Sequence, residues 1–351
     1  MPPLTGFCGF AGCCRENRSG LSPFSSKDFD PRRTDGKTSA MTQILRIGTR
    51  ASALALRQTD MVAEALRVAH PQLNIEIVRI TTSGDWRPAD GETRLVEAQG
   101  GKGLFAREIE AAILDRRVDC GVHSMKDMPS FLPDGLVIRH MLKREDARDA
   151  FLANGCKAIR DLPRGARFGT SSLRRQAFIL GIRPDLEILP LRGNVPTRIE
   201  KLRTGQVDAT LLACAGLNRL GLESEITSIL AIDDMLPAAG QGAVGIETRE
   251  GDAAIQALFD PLHCRSTGLR VAAERAALQI LNGSCHTPIG AYAVLADDDL
   301  LTLRVAVASA DGKEMHRVEQ AGIVASDNEA AGIGEAVGAD LRARVPAHLL
   351  T

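Results

Sequence analysis

The sequence predicts an α/β protein in which two α/β domains face a cleft and a small α+β domain follows at the C-terminus. Strand-like and helix-like segments alternate over residues 44–142, which is typical of a mainly parallel sheet. The alternation starts again after residue 146, so a second sheet of the same kind is expected. Beyond residue 264, helices flank two neighbouring strand-like runs, which indicates an α+β domain.

The composition excludes several kinds of protein. With 25% charged residues and a net charge of −1, the chain shows no sign of a nucleic-acid or membrane partner. Aromatic residues make up 3% of the chain, too few for a base-stacking platform. The eight cysteines contain no C-x-x-C pair, so they predict neither a metal site nor a redox motif. They fit free thiols in the cytoplasm.

Residues 1–43 differ from the rest of the chain. They are rich in Gly, Ser, Pro and Arg and show no sustained period, which predicts a disordered extension. They lack the pattern of a secretory signal. Because Met41 directly precedes the first strand-like run, we expect the extension to be dispensable or to reflect a start site assigned too early.

The first α/β domain is predicted to comprise residues 44–142 together with 243–260. Ser52 has the side chain of an N-cap and precedes the first helix. Apolar residues recur on one face of each predicted helix, so the helices are expected to pack on the sheet. The expected elements are strands over 43–48, 74–80, 120–122 and 243–247 and helices over 53–69 and 104–117.

The second α/β domain is predicted over residues 146–238 and repeats the first. In both domains a strand ends in Gly-Thr, at residues 48–49 and 169–170, and arginine follows closely. Helix N-termini carry unpaired N–H groups, so both junctions are suited to anions. The expected strands cover 167–170, 186–189 and 209–214, and residues 236–242 are interpreted as a hinge.

Residues 264–351 are predicted to form the small α+β domain. Cys285 lies in the polar loop after its first helix. A buried structural thiol is the usual role of a cysteine, but a polar loop favours a reactive thiolate or an attachment point. The expected elements are helices over 269–281 and 329–345 and strands over 291–296 and 301–309, with Gly312 in the following turn.

The segment Val-His-Ser-Met-Lys-Asp-Met-Pro at residues 122–129 follows a buried strand. Ligands usually bind at the C-terminal ends of strands in α/β sheets. Lys126 offers a group for an anion, and Asp127 offers one for a developing cation. The alternative is a solvated turn with a chance charge pair. His123 is either a general base or, more commonly, a packing residue.

Positively charged side chains gather at the predicted turns. Arg174 and Arg175 fall in a first helical turn, where they oppose the helix dipole, so an arriving anion would explain them. For Arg219 a salt bridge or a helix C-terminal role explains the charge equally well. A cluster this large predicts a ligand with several carboxylates or phosphates. Its members are Arg50, Lys102, Lys126, Arg174, Arg175, Arg192, Arg198 and Arg219.

Seven segments of the chain resemble, in order, those of the porphobilinogen deaminases, also called hydroxymethylbilane synthases, of the haem pathway. Together they span the chain from about residue 44 to its end. They are Ile-Gly-Thr-Arg-Ala-Ser at 47–52, Gly-Gly-Lys-Gly-Leu-Phe at 100–105, Val-His-Ser-Met-Lys-Asp-Met-Pro at 122–129, Gly-Thr-Ser-Ser-Leu-Arg-Arg-Gln at 169–176, Leu-Arg-Gly-Asn-Val-Pro-Thr-Arg at 191–198, Leu-Pro-Ala-Ala-Gly-Gln-Gly-Ala at 236–243 and Gly-Ser-Cys-His-Thr-Pro-Ile-Gly at 283–290.

The resemblance implies two periplasmic-binding-protein-like domains that face a cleft, plus a C-terminal domain that carries a dipyrromethane cofactor through a thioether at Cys285. The cofactor is built from porphobilinogen. Four further porphobilinogens are added head to tail with loss of ammonia, and hydrolysis releases hydroxymethylbilane. A cytoplasmic monomer that binds this small molecule, and neither nucleic acid nor membrane, is expected.

The resemblance also implies roles for individual residues. Asp127 is expected to be catalytic, because a carboxylate can stabilise the cation that forms when ammonia leaves. The expected cofactor-binding residues are Cys285, Lys126, Thr170, Ser172, Arg174, Arg175, Arg192 and Gly193. The expected substrate-binding residues are Arg50, Ser52, Arg198 and Arg219.

Three positions depart from the family's pattern: Arg57 stands where tryptophan is frequent, Ser284 replaces a glycine and His286 replaces a glutamine. On the residues alone, two other functions stay open. One is a two-lobed anion-binding protein, which would need the arginines but neither Asp127 nor Cys285. The other is a phosphosubstrate transferase that uses the Gly-Gly-Lys-Gly loop at 100–103, although that loop is a weak phosphate signal and is more simply a mobile loop over the cleft.

Overall fold

The structure, a computed structural model, describes residues 44–84, 105–281 and 287–350. Three predictions lie outside these residues: the disordered extension over 1–43, the loop with Lys102, and the loop with Cys285, Ser284 and His286. Within the described residues, no helix has both the length and the apolarity needed to cross a bilayer.

The described secondary structure alternates between strands and helices until the C-terminal domain. The strands are β1 Ile44–Arg50, β2 Asn74–Ile80, β3 Cys120–Ser124, β4 Leu136–Met141, β5 Asp149–Ala153, β6 Arg167–Gly169, β7 Glu187–Leu189, β8 Ala209–Ala213, β9 Ser228–Ile229, β10 Val244–Arg249, β11 Ile289–Leu295, β12 Leu300–Ala308 and β13 Met315–Ile323. The α-helices are α1 Ala53–Ala69, α2 Arg107–Leu114, α3 Leu173–Ile182, α4 Val195–Arg203, α5 Cys214–Leu220, α6 Ala253–Ala257, α7 Arg265–Ile280 and α8 Asp327–Arg344.

The first lobe is the sheet with strand order β2-β1-β3-β10-β4 and the helices packed on it. Strands β1, β2 and β3 are parallel, and β10 runs antiparallel to both β3 and β4. Ser52 caps α1, since its side chain accepts a hydrogen bond from the backbone N–H of Ala55 at 3.3 Å. Leu45 and Ile47 of β1 and Val62 and Leu66 of α1 are fully buried in one core cluster. The predicted β1–α1–β2 unit is therefore confirmed.

The second lobe is the sheet with strand order β7-β6-β8-β5-β9 and its helices. Strands β6, β7 and β8 are parallel, and β5 runs antiparallel to β8 and β9. Its arrangement repeats that of the first lobe, so two α/β domains are confirmed. The sequence did not predict β4, β5 and β9. β4 was not predicted because Arg139 and His140 interrupt its apolar run.

The C-terminal domain is the antiparallel sheet β11-β12-β13 with α7 and α8 packed on it. Its core contains Leu301, Leu303 and Val305 of β12 and Val337 of α8. Gly312 lies in the turn before β13 with a φ of +73°. β13 was not predicted, because its exposed polar side chains hide the period of a strand.

The two segments that connect the lobes, residues 142–148 and 236–243, are held together by α7. Glu274 of α7 is fully buried and pairs with Arg144 at 2.6 Å. It also accepts hydrogen bonds from the backbone N–H groups of Gly240 at 2.7 Å and Ala293 at 2.8 Å. One carboxylate thus ties both connecting segments to the C-terminal sheet. The hinge assigned to residues 236–242 and the domain limits drawn from the sequence stay predictions.

Candidate active site

The loop that carries Lys126 and Asp127 begins where β3 ends. Ser124 closes the strand, and a short 3-10 helix, Met125–Asp127, follows. The backbone N–H of Met125 bonds to the carbonyl of Ala243 at 3.1 Å, so the connecting segment 236–243, just before β10, fixes the start of the loop. Asp127 lines a pocket at the C-terminal edge of the sheet together with Arg50, Ser52, Phe105, His123 and Ser124.

Arg50 and Phe105 form one wall of this pocket. The Arg50 guanidinium lies over the Phe105 ring, 4.2 Å from the ring centroid, which is the distance of a cation–π contact. Ser52 lies beside them at the N-terminus of α1. Arg50 and Ser52 were predicted as site residues from the sequence, whereas Phe105 was not, although it belongs to the matching segment at 100–105.

His123 is buried on β3, and its Nε2 is 2.9 Å from Oε2 of Glu247 on β10. This contact favours the packing role over a general base. Arg57, one of the departures from the family's pattern, is exposed on α1 and pairs with Glu64 at 3.4 Å. Its side chain is therefore held at the surface of the first lobe.

Lys126 reaches from the first lobe toward charged residues of the second. The pKa of Lys126 is lowered to about 8, mainly by burial. Arg175 and Arg198 also act to lower it, while Asp127 and Asp149 act to raise it. Electrostatic effects of this kind require short separations. The structure therefore brings Lys126 and Asp127 together with the cations of the second lobe.

Asp149, at the start of β5, is the site residue that sequence reasoning missed. It is fully buried and pairs with Arg174 at 2.7 Å and with Arg175 at 2.7 Å. Burial acts to raise the pKa of Asp149, but the two guanidinium groups outweigh burial and bring it to about 2. Asp149 therefore supplies one of the negative charges that the sequence assigned to a ligand. Two adjacent arginines in a first helical turn were a signal that such a partner was needed.

The two arginines also bind backbone carbonyl groups. Arg174 donates to the carbonyl of Leu236 at 2.7 Å, and Arg175 donates to that of Leu211 at 2.8 Å. Nε of Arg174 is buried and has no hydrogen-bond partner among the described residues. One donor of this buried guanidinium is therefore unpaired among the described residues.

The β6–α3 junction places Thr170 and Ser172 beside these arginines. Oγ1 of Thr170 accepts a hydrogen bond from the backbone N–H of Ser172 at 3.1 Å. Oγ of Ser172 caps α3 by accepting from the backbone N–H of Arg175 at 3.4 Å. Both hydroxyl groups thereby shape the first turn of the helix.

The turn before α4 holds Arg192, Gly193 and Arg198. Gly193 has a φ of +110°, and a Cβ there would lie 2.7 Å from Thr197, so only glycine fits. Its carbonyl accepts a hydrogen bond from Nε of Arg198 at 2.8 Å. Arg192 is buried in the same turn.

Arg219, at the end of α5, contacts the connecting segment 236–243. It donates to the carbonyl of Gly242 at 2.7 Å, and burial lowers its pKa. Its Nε is buried and has no partner among the described residues. The observed contact explains why Arg219 lies at this point of the fold.

Two family models match the chain. The dipyrromethane cofactor binding domain of porphobilinogen deaminase matches residues 45–257, and the porphobilinogen deaminase C-terminal domain matches residues 268–343. The chain belongs to the porphobilinogen deaminase family. It is accordingly a hydroxymethylbilane synthase, a transferase of tetrapyrrole synthesis with a dipyrromethane cofactor. This supports the expected activity over the anion-binding protein and the phosphosubstrate transferase.

Solved structures with some similarity include periplasmic binding proteins. A periplasmic substrate-binding protein of an ABC transporter from Coxiella burnetii is 14% identical, with 64% of this chain and 93% of that chain covered and a TM-score of 0.39. A putative periplasmic sulfonate-binding protein from Methylobacillus flagellatus is 13% identical, with 68% of each chain covered and a TM-score of 0.37. Neither likeness bears on the activity.

The described residues fit a ligand with several carboxylates. Lys126, Arg174, Arg175 and Arg198 lie close to Asp127 and Asp149. Buried cations are stabilised by anions that pair with them. The acetate and propionate groups of pyrroles derived from porphobilinogen would provide such anions.

Proposed function

We propose that Asp127 is the catalytic carboxylate of this synthase and that the cations around Lys126 bind the carboxylates of cofactor and substrate. Cys285 is the attachment point. When bound, the dipyrromethane supplies the pyrrole carbon to which porphobilinogen units are added. The observation that carries the proposal is that one cluster contains Asp127, Lys126 and the second-lobe cations.

Asp127 has the chemistry that the reaction needs. Loss of ammonia from porphobilinogen leaves a methylene-pyrrole with cationic character, and a fixed carboxylate beside it stabilises that charge. Because the carboxylate is already in place, little reorganisation is needed at the moment of reaction. Asp127 ends a 3-10 helix whose first residue, Met125, is bonded to Ala243 just before β10, so its backbone is held on the first lobe.

The cations have a binding role in this proposal. Arg174 and Arg175 are fixed by Asp149 and by backbone carbonyls, and Arg198 is fixed by the carbonyl of Gly193. Arginine groups fixed in this way bind carboxylates with little further loss of side-chain entropy. Arg50, Ser52, Thr170, Ser172, Arg192 and Arg219 complete the proposed set.

The experiment is a kinetic comparison of Asp127→Asn with the wild-type enzyme. The variant should fold and keep its cofactor, as seen by intact mass, but turn over at least ~100-fold more slowly. Asp134→Asn is the matched control, because Asp134 is exposed in the loop that follows. Near wild-type turnover of Asp127→Asn would refute the role of Asp127.

We also propose that the protein works as a cytoplasmic monomer. The described cysteines, Cys120, Cys156, Cys214 and Cys264, are free thiols, which supports a reducing compartment. Light scattering after gel filtration tests the monomer, and a dimer mass would contradict it.

The attachment point has its own test. Replacement of Cys285 by serine should abolish the covalent adduct, whereas Cys156→Ser should keep it.

A further inference from the structure

One face of α7 lies against the loop that carries Asp127. Nη2 of Arg275 donates hydrogen bonds to the carbonyl of Pro129 at 2.7 Å and to that of Ser130 at 3.3 Å. Nε2 of Gln279 donates to the same carbonyl of Ser130 at 2.7 Å. Residues 275 and 279 are one helical turn apart, so both side chains leave α7 on the same face. The backbone just after Asp127 is thereby held at two successive carbonyls.

The same face of α7 also supports the loop through apolar contacts. Val271, one turn before Arg275, is fully buried in a cluster with Met125 and Met128. These two methionines stand on either side of Lys126 and Asp127 in the sequence. A line of three side chains on α7 therefore supports the loop both before and after the two charged residues.

α7 is itself fixed within the fold. Glu274, next to Arg275, receives hydrogen bonds from Arg144, Gly240 and Ala293, and these belong to both connecting segments and to β11. The support under the Asp127 loop is thus tied to the framework that joins the lobes. A displacement of about 1 Å in a reacting group can slow a reaction by about 100-fold.

The chemistry of Arg275 argues for more than stability. Burial lowers the pKa of Arg275 to about 10, and Glu247 acts to raise it. Among the described residues no carboxylate lies within salt-bridge distance of its guanidinium, and its hydrogen bonds go to carbonyl groups. The cation contributes directed hydrogen bonds, which fix the position of the loop.

We propose that Arg275 and Gln279 are positioning residues, which hold Asp127 where it acts. This inference rests on the proposed role of Asp127. The two side chains do not contact substrate in this account. They act through the backbone at Pro129 and Ser130 and so connect the C-terminal domain to the reaction.

The test compares Gln279→Leu, Arg275→Met and Arg275→Lys with the control Arg270→Met. Arg270 lies on α7 as well, but it bonds to Ser266 of its own helix. The first two variants should lower kcat by about 10-fold or more and leave KM within about 2-fold, because the loop is misplaced and the binding residues are not. Arg275→Lys should recover part of the rate, since it retains a cationic donor.

A second readout does not depend on turnover. Hydrogen exchange at the amides of residues 125–128 and 130 should quicken in Gln279→Leu and Arg275→Met, with the thermal midpoint close to that of wild type. Unchanged exchange and unchanged kcat in both variants would overturn the proposal. So would a loss of kcat that follows a global loss of stability. If instead Asp127→Asn proves fully active, the proposed function fails, whatever the exchange data show.

Discussion

The sheets of the two lobes match strand by strand, yet the residues that follow matching strands carry different charged groups. In the first lobe β3 ends in a 3-10 helix that presents Lys126 and Asp127. β8 occupies the same place in the second lobe and runs directly into the buried start of α5. Conversely, β6 leads to the arginines of α3, whereas the first turn of α1 is apolar. In the proposed function, the first lobe therefore supplies the reactive carboxylate, and the second lobe supplies most of the binding cations.

The largest effect on stability is expected from Asp149→Asn. Asp149 is the shared carboxylate of two buried arginines, and loss of one partner of a buried pair typically costs about 3–5 kcal/mol. Unfolding by urea measures the change. Asp208→Asn is the control on the same sheet, because the pair of Arg167 and Asp208 is solvent-exposed and should contribute less than about 1 kcal/mol. Equal losses in the two variants would contradict a buried charge centre in the second lobe.

Two buried carboxyl groups, one in each lobe, should make the stability depend on pH in opposite directions. Burial and Glu247 raise the pKa of Glu110, which packs beneath β3 and β10, to about 7. A group whose pKa rises on folding stabilises the protein below its unfolded pKa, here 4.5, and this contribution is lost as pH rises through 7. The free energy of unfolding should fall by about 3 kcal/mol over this pH range. The Glu110→Gln variant should not show this fall. Asp149, with a pKa of about 2, behaves oppositely and loses its contribution as pH falls through that value.

Unfolding free energies measured from pH 4.5 to pH 8 test the contribution of Glu110. The wild-type curve should fall as pH rises, and the Glu110→Gln curve should be flatter and lie above it at pH 8. Glu64→Gln, an exposed change on α1, should follow the wild-type curve. A Glu110→Gln curve parallel to wild type would show that this carboxyl does not titrate within the fold.

In the second lobe, Arg198→Met should weaken binding rather than chemistry. A hydrogen bond to a charged group contributes about 1.5–3 kcal/mol, which corresponds to at least a 10-fold rise in KM. The value of kcat should stay within about 3-fold. Arg203→Met on the same helix is the control, since Arg203 pairs with Glu225 at the surface. A fall in kcat with KM unchanged would remove the division of roles between the lobes.

The smallest effects concern the two helix caps. Ser52→Ala and Ser172→Ala should each lower the unfolding free energy by about 1 kcal/mol, because each removes one cap of an α-helix. Thermal unfolding of both variants under the same conditions makes the comparison. A much larger loss in one of them would show that the two junctions are not structurally equivalent.

The sequence was most informative where short-range signals decide the structure. Ser52 predicted the start of α1, and alternation predicted β2, since both depend on neighbouring residues. Strands β5 and β9 were missed, because they are short antiparallel strands whose pairing is decided by distant residues. The same holds for charge. Lys126 and Asp127 are visible as a motif, whereas the pairing of Asp149 with Arg174 joins residues 25 apart in the sequence.

Long-range contacts also explain what the sequence did not show about α7. Gln279 and Ser130 are 149 residues apart, and no local pattern indicates that they meet. Glu274 is fully buried among partners from three parts of the chain. Such partners become visible only when the fold brings the segments together.

The central claim is that Asp127 acts on pyrroles added to a primer at Cys285, while the cations of the second lobe bind them. The most direct test is intact mass spectrometry of Asp127→Asn before and after incubation with excess porphobilinogen. The account predicts a dipyrromethane adduct that gains no further pyrrole units in the time in which wild type gains them. Growth of the adduct at the wild-type rate would contradict it.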